Sequence, residues 1–277
     1  MWNEFQLAND LREIGLSEGA NVLAHVSLRA MGSLKEGAAT LLRALRLVLG
    51  DEGTLLVPVF SRAHLDPVRN EALIEPEEAE RLRAQIPAFD GGYAADVNLV
   101  GAFAEFVRRH PQAWRSRHPA LSFAALGPQA EFLTRDVPFH YPLGSDTPLA
   151  RLHQLNGFVL LIGMGQPANC SIHLAEIWAE TPYAHRSATL KNEEGRWMRM
   201  MGSPECSEGF RKIDPLLRQS RISRQGYIGN AESQLMRQRA LVSMAVAMLR
   251  GDPKSLLCDD PTCAFCAHAR KLSGETY

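Results

Sequence analysis

The chain has 277 residues, of which 45% are hydrophobic and 22% charged, with a formal net charge of −1. This is the composition of an ordinary globular protein, long enough for one large domain or a domain with a smaller appendage. The balanced charge excludes a general electrostatic pull toward nucleic acid or anionic membrane, and apolar runs such as FVLLIGMG fall well short of the roughly 20 residues of a membrane-spanning helix. The first residues, MWNEFQLANDLREIG, carry charges throughout and lack the basic-then-apolar order of a signal peptide. A cytoplasmic protein with neither a nucleic-acid nor a membrane partner is expected.

In chain order, residues 4–17 place Phe5, Leu7, Ala8, Leu11, Ile14 and Leu16 at helical spacing. NVLAHVSL (21–28) reads as a strand, 37–49 as a buried helix ending near Gly50, and GTLLVPVFS (53–61) as a second buried strand. Residues 62–96 are polar and irregular, with one helix in PEEAERLRAQ. A helix at 101–109, the loop WRSRHP, a strand in LSFAALG (121–127) and a short helix at 128–134 follow. SDTPLARLHQL (145–155) predicts a helix capped by Ser145 or Asp146. GFVLLIGMG (157–165) is a strand ending in glycines, and a helix at 172–180 comes next. After Tyr183, TLKNEEGRWMRMM predicts a hairpin turning at Asn192–Gly195, followed by an Arg/Ser-rich linker, a helix over Ala231–Leu249, and a tail rich in cysteine. Strands apolar throughout that alternate with helices imply an α/β core with a sheet covered on both faces.

Three stretches have the residue types of a site. In NCSIHLAE, His173 and Glu176 stand three apart and so share a helix face. A carboxylate there orients an imidazole as a general base requires, and the helix begins where ligands of open α/β sheets gather, after a strand's carboxyl end. Spacing alone does not separate this from an exposed His–Glu pair on a helix surface, the commoner case. In RRHPQAWRSRHPALSF, Arg108, Arg109, Arg115 and Arg117 offer forks for phosphate, and His118 a cleft-lining ring; a solvated basic loop has the same composition. In HVSLRAMGSLKEGAATLLRAL, a strand runs through a Ser/Gly loop into a helix, whose first N–H groups suit an anion. No Walker or G-x-G-x-x-G pattern occurs, which argues against nucleoside triphosphates and dinucleotides.

Four of the five cysteines lie at or beyond Cys206. Cys258, Cys263 and Cys266 form C-x4-C-x2-C, and with Cys206 they make a closed four-thiolate set of the kind that holds structural zinc. His268 is the reserve ligand. All candidate ligands are expected to sit apart from His173.

The motifs HVSLRAMGSL, GDEGTLLVPVFS, FAEFVRRHPQAWRSRHPALSFAALGPQA and TPLARLHQLNGFVLLIGMGQPANCSIHLAE, followed by Pro182-Tyr183, resemble in order and spacing the aminoglycoside 3-N-acetyltransferase family. The likeness covers roughly residues 10–185. It implies a three-layer α/β/α sandwich distinct from the GNAT fold. It also implies acetyl-CoA as co-substrate and direct transfer of acetyl to the 3-amino group of an aminoglycoside, as in antibiotic resistance. His173 would be the base, with Glu176 orienting it and facing the cationic substrate. Ser27, Leu28 and Arg29, with Arg115, Ser116, His118 and Ser122, would meet the cofactor. The loop at Ser27–Leu28 would supply oxyanion donors. Asp90, Asp96, Glu105 and Glu176 would form the acidic acceptor side. Some family members end in a similar C-x-x-C, which supports zinc at Cys206, Cys258, Cys263 and Cys266. The expected organisation is a core over 1–185 and a hairpin, helix and zinc-stapled extension over 186–277, as a monomer or homodimer.

The chain departs from the family pattern at Val26, where a hydroxyl is usual, at Cys170, where a hydroxyl residue precedes the HLAE motif, and in FDGGY (89–93), which lacks the usual proline. Because the last segment helps shape the acceptor pocket in the family, acylation of a different natural-product amine in biosynthesis is the alternative. A zinc-stapled nucleic-acid-binding protein, using the basic stretch Arg211–Arg239, is the remote one.

Overall fold

In the computed structural model, which describes residues 1–68 and 74–274, the apolar runs take the middle of the sheet. Strands β1 (Asn21–Val26), β2 (Thr54–Pro58), β3 (Trp114–Arg115), β4 (Phe123–Leu126), β5 (Phe158–Ile162), β8 (Ser223–Ile228) and β9 (Ala231–Arg237) form one seven-stranded sheet. Its order is β3-β4-β2-β1-β5-β9-β8. Only β2, β1 and β5 run parallel, and the flanking strands are antiparallel. The remaining two, β6 (Ser187–Lys191) and β7 (Trp197–Met201), form the predicted hairpin. Asn192 builds its turn by accepting the Glu194 and Arg196 N–H groups.

Side chains alternate across the central strands. Val22, Ala24, Val26, Leu55, Val57, Leu160 and Ile162 face one core, packed under α1 (Glu4–Glu13), α2 (Ala38–Leu49) and α5 (Ala102–Arg108). Leu23, Leu56, Val159 and Leu161 face the other, packed under α6 (Ala130–Thr134), α7 (Pro148–Gln154), α8 (Ser171–Trp178) and α10 (Gln238–Gly251). The three expected layers follow. The remaining α-helices are α3 (Pro76–Ala84), α4 (Val97–Val100), α9 (Asp214–Gln219) and α11 (Ala264–Leu272). Within the polar stretch 62–96, α3 is the predicted helix, and residues 69–73 lie outside the described residues, as do 275–277. No helix among the described residues is long and apolar enough to cross a membrane.

Three expectations need correction. The single helix over Ala231–Leu249 is instead β9 followed by α10. In AESQLMR burial alternates at first, Ala231, Ser233 and Leu235 being buried and Glu232 exposed, and Leu235 pairs with Leu160 of β5. A period of two therefore overrides the helical one. The Arg/Ser-rich linker is structured too, as a 3-10 turn at Glu208–Ile213, then α9 and the edge strand β8. A boundary at residue 185 would cut through this sheet, because β8 and β9 complete it. Finally, α7 is capped by Thr147, whose hydroxyl accepts the Ala150 N–H ahead of Pro148 at the first helical turn, and not by Ser145 or Asp146.

Candidate active site

The carboxyl ends of β1 and β5 are tied together. The Ser27 N–H donates to the Ile162 carbonyl at 2.9 Å, and the chain turns through Leu28 to Ala30. Gly163 makes this close approach possible. Its φ is +63°, and a Cβ there would stand 2.4 Å from the Ala30 Cβ. A 3-10 turn, Gln166–Ala168, then leads into α8.

A buried polar chain fixes where α8 starts. Gln166 donates to the Gln234 side chain at 2.9 Å, and Asn169 donates to Gln166 at 2.9 Å. Asn169 in turn accepts the Ser171 N–H at 3.2 Å, and Gln238 donates to the Ser171 hydroxyl at 3.0 Å. Gln166, Asn169, Ser171 and Gln238 are fully buried, so their polar atoms need these partners. The sequence reading missed this set. Its signal, glutamines inside an otherwise buried strand–helix pair, is visible only once β9 is recognised as a strand.

One turn into α8, His173 Nδ1 lies 2.7 Å from Glu176 Oε2, with both side chains largely covered, 12% and 10% exposed. A carboxylate accepts and does not donate, so Nδ1 carries the hydrogen and the neutral ring keeps its lone pair on Nε2. Nε2 has no protein partner among the described residues. The ring packs edge-on against Phe210 at 4.9 Å. His173 and Glu176 line a cavity together with Ile177, Tyr183, the segment 202–206 and Phe265.

A second pair, His25 and Cys170, is inert. His25 Nε2 is 3.6 Å from Cys170 Sγ, and both side chains are buried. Burial pulls the His25 pKa down to about 3 and pushes the Cys170 thiol up. His25 is therefore uncharged and Cys170 remains a thiol, unsuited to act as a nucleophile.

A profile of the aminoglycoside 3-N-acetyltransferase family matches residues 23–250. The chain belongs to this family. Its relatives include aminoglycoside N(3)-acetyltransferase IV of Salmonella sp, 32% identical over 257 residues that cover 91% of this chain and 89% of that protein. Among solved structures, a histidine-to-alanine mutant of aminoglycoside acetyltransferase AAC(3)-IVa in complex with a gentamicin superposes with a TM-score of 0.82, at 32% identity over 98% of this chain and 97% of that one. The binary complex of AAC-IIIb with CoASH superposes with a TM-score of 0.79, at 29% identity over 90% of this chain and 97% of that one.

The residues expected of an aminoglycoside 3-N-acetyltransferase from sequence are only partly brought together. Ser27, Leu28 and Arg29 form the turn beside the β5–α8 loop. Ser27 and Leu28 are half-buried and Arg29 is exposed, and the Leu28 and Arg29 N–H groups have no protein acceptor among the described residues. The second cofactor segment is turned inward. Ser116 Oγ accepts the Phe123 N–H at 2.8 Å, and Ser122 Oγ donates to the His118 carbonyl at 2.6 Å. His118 Nδ1 accepts from Ala120 and Leu121, while Nε2 donates to the Phe139 carbonyl at 3.2 Å. Burial lowers the His118 pKa to about 4. Arg115 grips the carbonyls of Gly91 and Tyr93 at 2.8 and 2.5 Å, and burial lowers its pKa to about 10. These side chains knit the connection between β3 and β4, whose buried backbone groups require partners. Ser116, His118 and Ser122 are buried and Arg115 is half-buried, with these hydrogen bonds made within the protein.

The acidic residues are likewise dispersed. Asp90 accepts the Gly92 N–H, and Asp96 caps α4 by accepting the Asn98 N–H. Glu105 is paired with Arg108 at 2.7 Å and accepts the Ala95 N–H. Burial pushes its carboxyl up, but the Arg108 fork and the amide outweigh that and hold it below the usual carboxylate range. None of the three lines the cavity at His173, whereas Glu176 does.

The cysteines converge. The sulfurs of Cys206, Cys258, Cys263 and Cys266 all lie within 4.8 Å of one another. Cys266 Sγ accepts the Cys258 N–H at 3.4 Å, and Arg270 donates to the Cys258 carbonyl. His268 is exposed and outside the cluster. The cluster does not sit apart from His173, as the sequence led one to expect, because Cys206 and Phe265 line the same cavity. The basic stretch Arg211–Arg239 is distributed over a 3-10 turn, α9, β8, β9 and the start of α10, so it is not one continuous face.

Proposed function

We propose that the protein transfers acetyl from acetyl-CoA directly to an amine of an aminoglycoside, at the 3-amino position, with His173 as general base. The carrying observation is the His173 ring, with Nδ1 bonded to Glu176 and Nε2 free at the cavity. An ammonium has no lone pair, so it first releases one proton to solvent, and the neutral amine then gives up a second as its nitrogen attacks the thioester carbonyl. Nε2 takes that proton, and Glu176 stabilises the imidazolium that results. The carbonyl oxygen becomes an oxyanion, for which the N–H groups of Leu28 and Arg29, without a protein acceptor among the described residues, are the donors offered by the turn after β1. Collapse breaks the C–S bond, and His173 returns the proton to the CoA thiolate. The buried thiol of Cys170 argues against an acetyl-cysteine intermediate.

The four clustered thiols fit zinc. Four sulfurs at about 2.3 Å from one ion stand roughly 3.8 Å apart, compatible with the spacing present. Zinc bound by four thiolates has no open position. Its contribution is to fold the tail onto the segment around Cys206.

The test is to incubate the protein with acetyl-CoA and a panel of aminoglycosides and simple amines, then to locate the new acetyl group by mass and NMR. A 3-N-acetylated aminoglycoside supports the reading. Acetylation of simple amines only would move the substrate to another natural-product class, and no acetylated product would overturn the reading.

A further inference from the structure

Resting on that function, we infer that Trp2 is a positioning residue for the reaction: it clamps the turn after β1, so that the Leu28 and Arg29 N–H groups are fixed in place before the oxyanion forms. A donor stabilises a developing charge well only if it need not be reorganised at the moment of reaction. The turn itself has little to hold it, its internal bonds being Ala30 N–H to the Ser27 carbonyl and Met31 N–H to the Leu28 carbonyl, at 3.1 and 3.2 Å.

The N-terminal sequence releases Trp2 for this task. The Asn3 side chain caps α1 by accepting the Phe5 and Gln6 N–H groups, and the Gln6 side chain accepts the Asn3 N–H in return. That box fixes the first turn of the helix and leaves Trp2 outside it. Trp2 then pairs in parallel with Leu34. Its N–H donates to the Ser33 carbonyl at 2.8 Å, and its carbonyl accepts the Lys35 N–H at 3.0 Å. The Trp2 ring packs on the same core as Leu28, Ala30 and Leu34.

The turn between β8 and β9 makes the second grip. Trp2 Nε1 donates to Asn230 Oδ1 at 3.2 Å, and the Asn230 N–H donates to the Met31 carbonyl at 3.1 Å. Met31, fully buried, is the residue whose own N–H reaches Leu28. A path of hydrogen bonds therefore runs from the indole through Asn230 and Met31 to the donor turn. Gly229 makes the approach possible: its φ is +59°, and a Cβ there would stand 2.8 Å from the Met31 carbonyl oxygen and 3.3 Å from Trp2 Nε1. The Gly229 N–H donates to Asp10 at 2.8 Å, so the helix that releases Trp2 also holds the turn that Trp2 grips. On the opposite side the turn after β1 closes on Gly163 through Ala30.

The experiment follows single-turnover acetyl transfer to gentamicin by the full-length, zinc-loaded protein, for wild type, Trp2→Ala, Trp2→Phe and Asn230→Ala. Dissociation constants for acetyl-CoA and gentamicin and melting temperatures are measured alongside. Outright loss of an oxyanion donor costs on the order of 10² to 10³ in rate, so donors that remain but are no longer fixed should cost less, about tenfold in Trp2→Ala. Both dissociation constants should hold, because the oxyanion exists only at the transition state. Trp2→Phe and Asn230→Ala break the same hydrogen bond, so each should slow transfer by a similar, smaller factor, and the double variant should be no slower than either. A wild-type transfer rate in Trp2→Ala overturns the inference. So does a slowing accompanied by equally weakened acetyl-CoA binding, or one that vanishes at a temperature where the variant is fully folded, since either marks a merely structural residue. Those outcomes leave the acetyltransferase reading intact, because the wild type still transfers acetyl. No transfer by the wild type overturns that reading, and the inference with it.

Discussion

Two histidines, His118 in the loop between β3 and β4 and His173 in α8, stand beside the same sheet, and their environments are opposite. His118 uses both ring nitrogens on its own loop: Nδ1 accepts two backbone N–H groups and Nε2 donates to Phe139. His173 uses one, on Glu176, and lines a cavity with the other unpartnered among the described residues. Both belong to motifs that mark the family, yet only one keeps a ring nitrogen without a protein partner among the described residues. A histidine's chemistry is therefore read from what remains after its structural hydrogen bonds are counted. His118 is spent on its loop, whereas His173 keeps one nitrogen uncommitted, as the proposed base requires.

That contrast can be sharpened by substitution. The largest effect short of removing the His173 ring belongs to Glu176→Gln. It removes the charge that stabilises the imidazolium, and turnover should fall on the order of 100-fold while acetyl-CoA affinity holds, as steady-state rates and calorimetry would show. Cys263→Ser comes next. Loss of one of four thiolates should lower the melting temperature by roughly 10 °C, and a melt matching wild type would remove the structural role of the cluster. His118→Ala leaves the N–H groups of Ala120 and Leu121 without their acceptor inside the protein. It should cost about 2–3 kcal/mol of stability, measured by denaturant unfolding, with turnover per folded molecule unchanged.

The smallest effect is on pH. Burial holds the folded pKa of His25 at about 3 and of His118 at about 4, below the roughly 6.5 of an unfolded chain. Between those values the unfolded state binds more protons, so stability rises with pH across the window and is lost on acidification from about 6.5 toward about 4. Melting temperatures should fall between about pH 7 and pH 5, and His118→Gln should flatten that slope. A slope identical to wild type would contradict the burial-driven shift.

Much of this was legible in the chain. The strands β1, β2, β4 and β5 announce themselves because burial on both faces leaves them largely apolar. The His173–Glu176 pair follows from helical spacing, and the cysteine set from its x4 and x2 intervals. Three features were not legible, for distinct reasons. AESQLMR carries apolar residues that suit the start of a helix, and only pairing with β5 selects the strand. Spacing does not reveal that Ser116, His118 and Ser122 satisfy one another's loop, since that depends on which backbone groups are buried. The contact between the cysteine tail and His173 joins residues far apart in sequence through Cys206 and Phe265, and no local pattern encodes it.

The most direct test of the contrast is release of free thiol from acetyl-CoA with a gentamicin as acceptor, measured for wild type, His173→Ala and His118→Ala at a temperature where all three are folded. Wild type and His118→Ala should release thiol at comparable rates, while His173→Ala should fall by a factor on the order of 10² to 10⁴ and still bind acetyl-CoA. Near-normal release by His173→Ala would contradict its role as the base, and with it the distinction between the two histidines.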